Sequence, residues 1–507
     1  MLTRLSRLEL SLIALFALVA GGTCALGLFG IATLFVLVLG VIGLWLIFER
    51  PEIALEACFF LLFIAQIKFR SRDATAALSG NIDSQIAFEL AIYGLVGLIS
   101  LVNFIQILTE RLRPSRNESL LLCYVALAGL SAFWSTAPKI TIVRTVELAI
   151  LYLFTFSAVR RLGPRGTVMT IGKTLVLSVV FFAGMAVIFP FANGTRISQQ
   201  LAEFSLDRSA RFTWFAVQPI TAGAEAAGGI AFLTCWAMYA GGWRQRLAAI
   251  PLWVYTLALF AVLLATRARG PLIAAMVAGF ALLLRRYTQM RIVSWAVLMA
   301  LLVIVLGAIN VGTNFMTAAY DVTNNANPVI QFLMRGQSAG EFLSLTGRSD
   351  LWSAEASLFL GSPIIGYGYI ASRGMLLAVM PWAGEAHNAL GETLLDLGLL
   401  GFLTLWIPLI WTLFESISRA DPRNRNWTEA AIMAFIVFAV IDGISETGMT
   451  GAVSFMPILL FGAMFAHRDP PARVTRPMPL RAAPAAPPYG AARQPDYAFA
   501  RHNGYLH

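Results

Sequence analysis

Apolar runs of close to twenty residues recur along this chain, divided by short polar stretches. They lie at about 9–28, 31–48, 52–67, 85–108, 118–134, 140–159, 174–192, 214–240, 248–266, 271–284, 292–310, 388–414, 428–445 and 449–466. A helical run of that length crosses the roughly 30 Å hydrocarbon core of a bilayer. The first three are crowded together, so the pattern predicts about 12–14 spans in an all-α, polytopic helical bundle. The polar stretches carry the orientation. With the N-terminus in the cytoplasm, that side receives Arg4 and Arg7, Arg50, then Arg111, Arg113 and Arg116. It next receives Arg160, Arg161 and Arg165, Arg244 and Arg246, Arg285, Arg286 and Arg291, and finally Arg419, Arg423 and Arg425. Short cytoplasmic loops of membrane proteins hold such an excess, so both termini are expected inside. Lys68, Arg70 and Arg72 fall on the outer side and break the alternation.

Two outer segments are longer than connectors. One covers 193–213 and the other 311–387. The second contains "TGRSDLWSAEASLFLGSPIIGYGYIASRG", which predicts a helix over 348–360 followed by a turn-rich segment. A loop of this length with its own helical pattern reads as a functional cap. From residue 468 onward Pro, Ala and Arg dominate, which predicts a disordered cytoplasmic tail. The expected organisation is a membrane bundle over 1–310, an outer loop domain over 311–387, C-terminal spans over 388–467 and a tail over 468–507. The apolar run after "MLTRLSRLEL" reads as a retained first helix, since no clear cleavage site follows it.

Composition narrows the chemistry. Hydrophobic residues make up 58% and charged residues 13%, against about 25% charged in soluble domains. The net charge of +10 is spread over loops rather than interleaved with aromatics, so the expected partner is the lipid bilayer and not nucleic acid. Cys24, Cys58, Cys123 and Cys235 sit inside apolar runs without metal-ligand spacing and read as small hydrophobes. The chain has no GxxxxGK[ST], GxGxxG or HExxH motif and no DxD in an outer loop. The expectation is chemistry without ATP, cofactor or metal.

The candidate residues gather on the outer side. In "PWAGEAHNALGETLLDLGLLGFLTLW", His387 is the one histidine in the body of the chain; His467, His502 and His507 fall at its end. Asn388, Glu392 and Asp396 follow at helical spacing, and ionised acids on such a face must point into the bundle or a wet cavity. They read either as supports for His387 or acceptor hydroxyls, or as structural partners of an arginine. Gly398 and Gly401 read as close-packing positions only. Arg267 and Arg269, in "TRARG", occupy a very short outer turn against the charge pattern, either as snorkelling anchors or as an anion site. Arg348, in "TGRSDLW", reads as a loop cation or as a guanidinium able to pair with phosphate oxygens at two points. Arg211 is a weaker candidate, and Arg335 and Arg373 are weaker still.

These motifs resemble the O-antigen ligase / Wzy-type polymerase superfamily of bacterial envelope glycosyltransferases. The late signature stands as His387 and Asn388, nine residues, then Gly398 and Gly401. "TGRSDLW" with "GSPIIGYGY" is similar to the outer-loop pattern, "TRARG" to the arginine turn and "SAFWSTAPKITIVRT" (131–145) to an earlier Trp-Ser-x-x-Pro segment. The resemblance implies an all-helical fold related to C-type glycosyltransferases, in the bacterial inner membrane with a periplasmic active site. It implies His387 as catalytic base and Arg269 and Arg348 as diphosphate-binding residues, with Arg211 beside them and Asn388 and Glu392 in support. The implied donor is a polyprenyl-diphosphate-linked glycan. The implied acceptor is a glycan, for a polymerase of O-antigen or exopolysaccharide, or lipid A–core, for an O-antigen ligase. A chain-length regulator or other envelope assembly proteins are the expected protein partners. An envelope glycolipid transporter is the reading from another class, disfavoured by the long outer loop and the absence of a two-half repeat.

Overall fold

The computed structural model describes residues 50–67, 84–109, 114–189, 211–215, 217–287, 348–380, 385–420, 426–450 and 455–467. The expected spans at 9–28, 31–48 and 292–310, the 68–72 loop and the tail lie outside these residues. The described chain is helical apart from a two-stranded turn, β1 (Arg246–Leu247) with β2 (Ile250–Pro251). The helices are α1 (Pro51–Ile64), α2 (Ser84–Thr109), α3 (Arg116–Leu130), α4 (Pro138–Ile188), α5 (Pro219–Ala240) and α6 (Leu252–Thr266). They continue with α7 (Arg269–Tyr287), α8 (Arg348–Gly361), α9 (Ser372–Val379), α10 (Ala389–Arg419), α11 (Trp427–Gly443) and α12 (Phe455–Ala466). By length and composition Ile86–Ile107, Pro138–Ile188, Pro219–Ala240, Arg269–Tyr287 and Ala389–Arg419 can each cross a membrane. The protein is an all-α, polytopic membrane protein.

Helix starts follow local chemistry. Ahead of α3, the Ser115 hydroxyl accepts from Glu118 N at 3.2 Å while Ser115 N donates to the Glu118 carboxylate at 2.6 Å. This reciprocal cap satisfies two amides that the first turn leaves open. Within α4, Gly163 takes a left-handed φ of 72°, and Pro164 after it starts a second helical segment. The runs expected at 140–159 and 174–192 are thus two helices meeting at Gly163.

The arginine-rich ends meet at one end of the bundle. Arg160 pairs with Glu118 at 2.5 Å, Arg161 donates to Gln106 at 2.8 Å and Arg165 lies over the Trp427 ring. Arg285 donates to the Ile417 carbonyl at 2.7 Å. His467 sits between Glu429 (2.9 Å) and Glu415 (2.6 Å). Arg211, Arg267, Arg269, Arg373 and His387 lie towards the opposite end of these helices, while Arg335 lies outside the described residues.

Helices α11 and α12 are apolar and buried on nearly every side, which marks them as the centre of the bundle. Helix α11 packs on α5, α7 and α10, and α12 packs on α4. Outward faces are apolar too: Trp253, Leu257 and Phe260 on α6, and Leu403, Ile407, Ile410 and Phe414 on α10, are exposed. Such surfaces suit a lipid solvent. Cys58 and Cys235 are buried and Cys123 faces outward, all as free thiols.

Candidate functional site

The late signature folds into a broken helix. Gly398 adopts φ 61° and ψ −158°, dividing α10. A continuous helix would bond Leu399 N to Leu395 O and Leu400 N to Asp396 O. Instead Leu399 N donates to Pro363 O (2.9 Å) and Leu400 N to Ile364 O (3.2 Å). The freed Leu395 and Asp396 carbonyls accept from Tyr367 N and Gly368 N, both at 2.9 Å. Buried backbone groups must be paired, and "GSPIIGYGY" supplies partners on both sides of the break. Gly366 and Gly368 also have left-handed φ, 64° and 108°. A side chain on Gly366 would strike the Asp396 backbone, and one on Gly398 would strike that of Ile364. Close helix packing, expected of Gly398, is therefore a secondary role: its backbone conformation makes the break. From Leu399 to Arg419 the second half is about 30 Å long, enough to cross the membrane by itself.

The first half belongs to the cap. Leu351, Leu376, Ala386 and Leu395 form a separate small core joining α8, α9 and the start of α10. The Asp396 carboxylate accepts from Ile370 N (2.8 Å), Ser372 N (3.2 Å) and Ser372 Oγ (2.5 Å). Ile370 has a φ of 61°, costly for a β-branched residue, and Asp396 holds it there. The early motif docks on the same loop. Thr136 N donates to Tyr367 O at 3.1 Å, Tyr369 N to Ser131 Oγ at 2.9 Å and Thr141 Oγ1 to Tyr369 O at 2.9 Å. Three motifs distant in sequence thus meet in one place.

His387 stands in the turn before α10 with a left-handed φ of 52°. Its Nδ1 lies 3.8 Å from Glu385 Oε1. Asn388 caps α10 through Gly391 N and donates to Glu355 at 2.8 Å. Glu392 is buried and accepts from Arg373 at 3.2 Å and from Thr450 at 3.0 Å. Of the two readings of Glu392, the arginine pairing is the one observed. Arg373 also reaches Glu385 at 3.5 Å, and Thr447 donates to Glu385 at 2.8 Å. Burial pulls the Arg373 pKa down, but Glu392 and Glu385 outweigh it and hold the guanidinium above its ordinary range. Burial pushes Glu355 up to about 8, against the Asn388 bond that pulls it down. Glu385, His387 and Glu446 offer ligand atoms within 4.8 Å of one another, a set that could hold a cation. Arg373 already occupies one side of it as a fixed positive charge.

The arginine turn lies on the same side. Arg267 ends α6 with φ 51° and Arg269 begins α7. Arg211 Nε donates to Thr266 O at 2.9 Å, which joins the outer segment to this turn. Gly270 lies against Ser445, and Gly443 against Ala389. The segment 442–447 therefore touches the arginine turn on one side and, through Glu446 and Thr447, the His387 turn on the other. Arg348 is the first residue of α8, as the sequence predicts for the start of that helix. Arg373, among the weaker candidates in the sequence, stands beside the His387 turn with Glu355, Glu385, Glu446, Thr447 and Thr450, which the sequence does not single out. "GEAHN" and "SETGMT" were polar runs beside spans, but nothing local paired them.

These features define a multi-pass helical membrane protein with polar clusters at both ends, the His387 turn and the arginine turn sharing one of them. Residues 254–406 match the family model described as O-antigen ligase. This segment supports the O-antigen ligase / Wzy-type superfamily and, at family level, membrane glycosyl transfer. The matched span runs from α6 through the arginine turn, α8, α9 and His387 to Trp406 in α10. No curated protein matches the chain.

Proposed function

We propose that this protein moves a glycan from a polyprenyl diphosphate, of the undecaprenyl kind, onto an acceptor hydroxyl at the periplasmic face of the bacterial inner membrane. One observation carries the reading: segment 442–447 touches both the arginine turn and the His387 turn. Arg269 and Arg348, with Arg211 beside them, bind the diphosphate and stabilise the charge that builds as the sugar–phosphate bond breaks. His387 takes the proton from the acceptor hydroxyl, whose oxygen bonds the anomeric carbon. The polyprenyl diphosphate leaves as an anion, so one direct displacement inverts the anomeric centre. No metal takes part in these steps. Asn388 holds the His387 turn, and Glu392 fixes Arg373 against Glu385.

His387→Ala should lower turnover about 10²–10⁴-fold with membrane insertion unchanged. Product at near wild-type rate would remove the base assignment. Arg348→Lys keeps the charge and loses two-point pairing, so a strong loss is expected; an unchanged rate makes Arg348 a loop residue. We favour polymerisation of O-antigen or exopolysaccharide repeat units. The second reading is ligation of the glycan to lipid A–core. A deletion strain separates them: single lipid-linked units accumulate if a polymerase is lost, long lipid-linked chains if a ligase is lost.

A further inference from the structure

Glu355 lies on α8, two turns beyond Arg348, and takes no part in the steps above. It is 5% exposed, an unusual place for a carboxyl. Its Oε2 accepts from Asn388 Nδ2 at 2.8 Å, and its buried Oε1 has no hydrogen-bond partner among the described residues. Asn388 is committed on every side. Its Oδ1 caps Gly391 N, and its amide also reaches the Ala386 carbonyl at 3.3 Å. Ala386 and Gly391 bracket His387, whose left-handed backbone persists only where the surroundings hold it. Among the bonds of Asn388, the one to Glu355 comes from another element. A side chain at Gly391 would strike Glu355 Oε2, so glycine there admits the carboxyl.

We propose that Glu355 is a positioning residue for His387: by gripping Asn388 it fixes the turn that aims the imidazole, and it ties that turn to the helix beginning at Arg348. The proposal rests on the reading of His387 as the base. Glu392 on α10 is the charged group whose field reaches Glu355 from the facing helix. With its pKa pushed up to about 8, Glu355 is largely uncharged near neutral pH, and glutamine reproduces its shape and its acceptor oxygen.

The test uses the full chain in lipid nanodiscs with two readouts. One is turnover of lipid-linked donor. The other is the rate at which diethyl pyrocarbonate modifies His387, followed by peptide mass mapping from about pH 6 to 9, around the ordinary imidazole range. Glu355→Ala should lower kcat roughly 10- to 100-fold with little change in KM, as a misplaced base does. It should also shift the labelling rate of His387, while Glu355→Gln matches the wild type in both readouts. Paired with Asn388→Ala, it should add nothing to the worse single variant. If Glu355→Ala fails to insert, Glu355→Asp keeps the acid and shortens its reach, and the same losses are expected. Unchanged labelling in the alanine or aspartate variant overturns the proposal, as does a glutamine variant as impaired as alanine. If His387→Ala remains active while Glu355→Ala still shifts labelling, the base assignment fails and the positioning role stands.

Discussion

Replacing Gly398 with alanine tests the broken helix directly. At φ 61° and ψ −158° the backbone lies in a region open essentially to glycine alone, so an added Cβ costs about 1–3 kcal/mol in strain. That Cβ would also meet the carbonyl of Ile364 and the amide of Ile365, which are backbone and cannot rotate away. The loop must retreat, which weakens the bonds from Leu399 N to Pro363 O and from Leu400 N to Ile364 O. Each such bond contributes about 0.5–1.5 kcal/mol net. The total is about 2–6 kcal/mol against local opening, or roughly 30-fold to 10⁴-fold faster amide exchange. Hydrogen exchange in nanodiscs, read at Leu399, Leu400, Tyr367 and Gly368, measures it. Gly279→Ala is the control: it lies in α7 with open space around its Cβ position and should be neutral or slightly stabilising. If Gly398→Ala exchanges at wild-type rates at those four amides, the loop does not hold the break.

Two further predictions concern the opposite end of the bundle. Glu118→Ala removes one of the two bonds of the α3 capping box and the buried partner of Arg160, so a loss of about 3–5 kcal/mol is expected, seen as a large fall in thermal midpoint; a fall matching a surface pair would refute it. At His467, burial lowers the pKa, but the Glu429 bond and charge, with the Glu415 bond, outweigh it and raise it above 6.5. A raised imidazole pKa contributes stability that is complete below 6.5 and is lost as pH rises through the folded value. The thermal midpoint should therefore decline across that window in the wild type, and the decline should shrink in His467→Gln.

Much of the fold was legible because apolar periodicity and capping are local. The α8 start at Arg348 and the end-to-end alternation of arginines could both be read along the chain. Glu392 was legible as a group that needs a partner, but its partner Arg373 was not. A guanidinium in a long loop carries no mark of what it will face. The glycine signature was visible as a pattern, while its reason lay in another segment.

By itself, then, the sequence determined an all-helical membrane chain, the ends at which its arginines and its histidine lie, and the residues worth suspecting. Hydrophobic length and charge bias act residue by residue, so they survive without coordinates. Only the tertiary structure decided that α10 breaks at Gly398, that "GSPIIGYGY" supplies the lost hydrogen bonds, and that Glu355, Glu385 and Arg373 surround the His387 turn. Those outcomes depend on backbone groups finding partners far away in the chain. Burial away from water makes the pairing obligatory, but it does not name the partner.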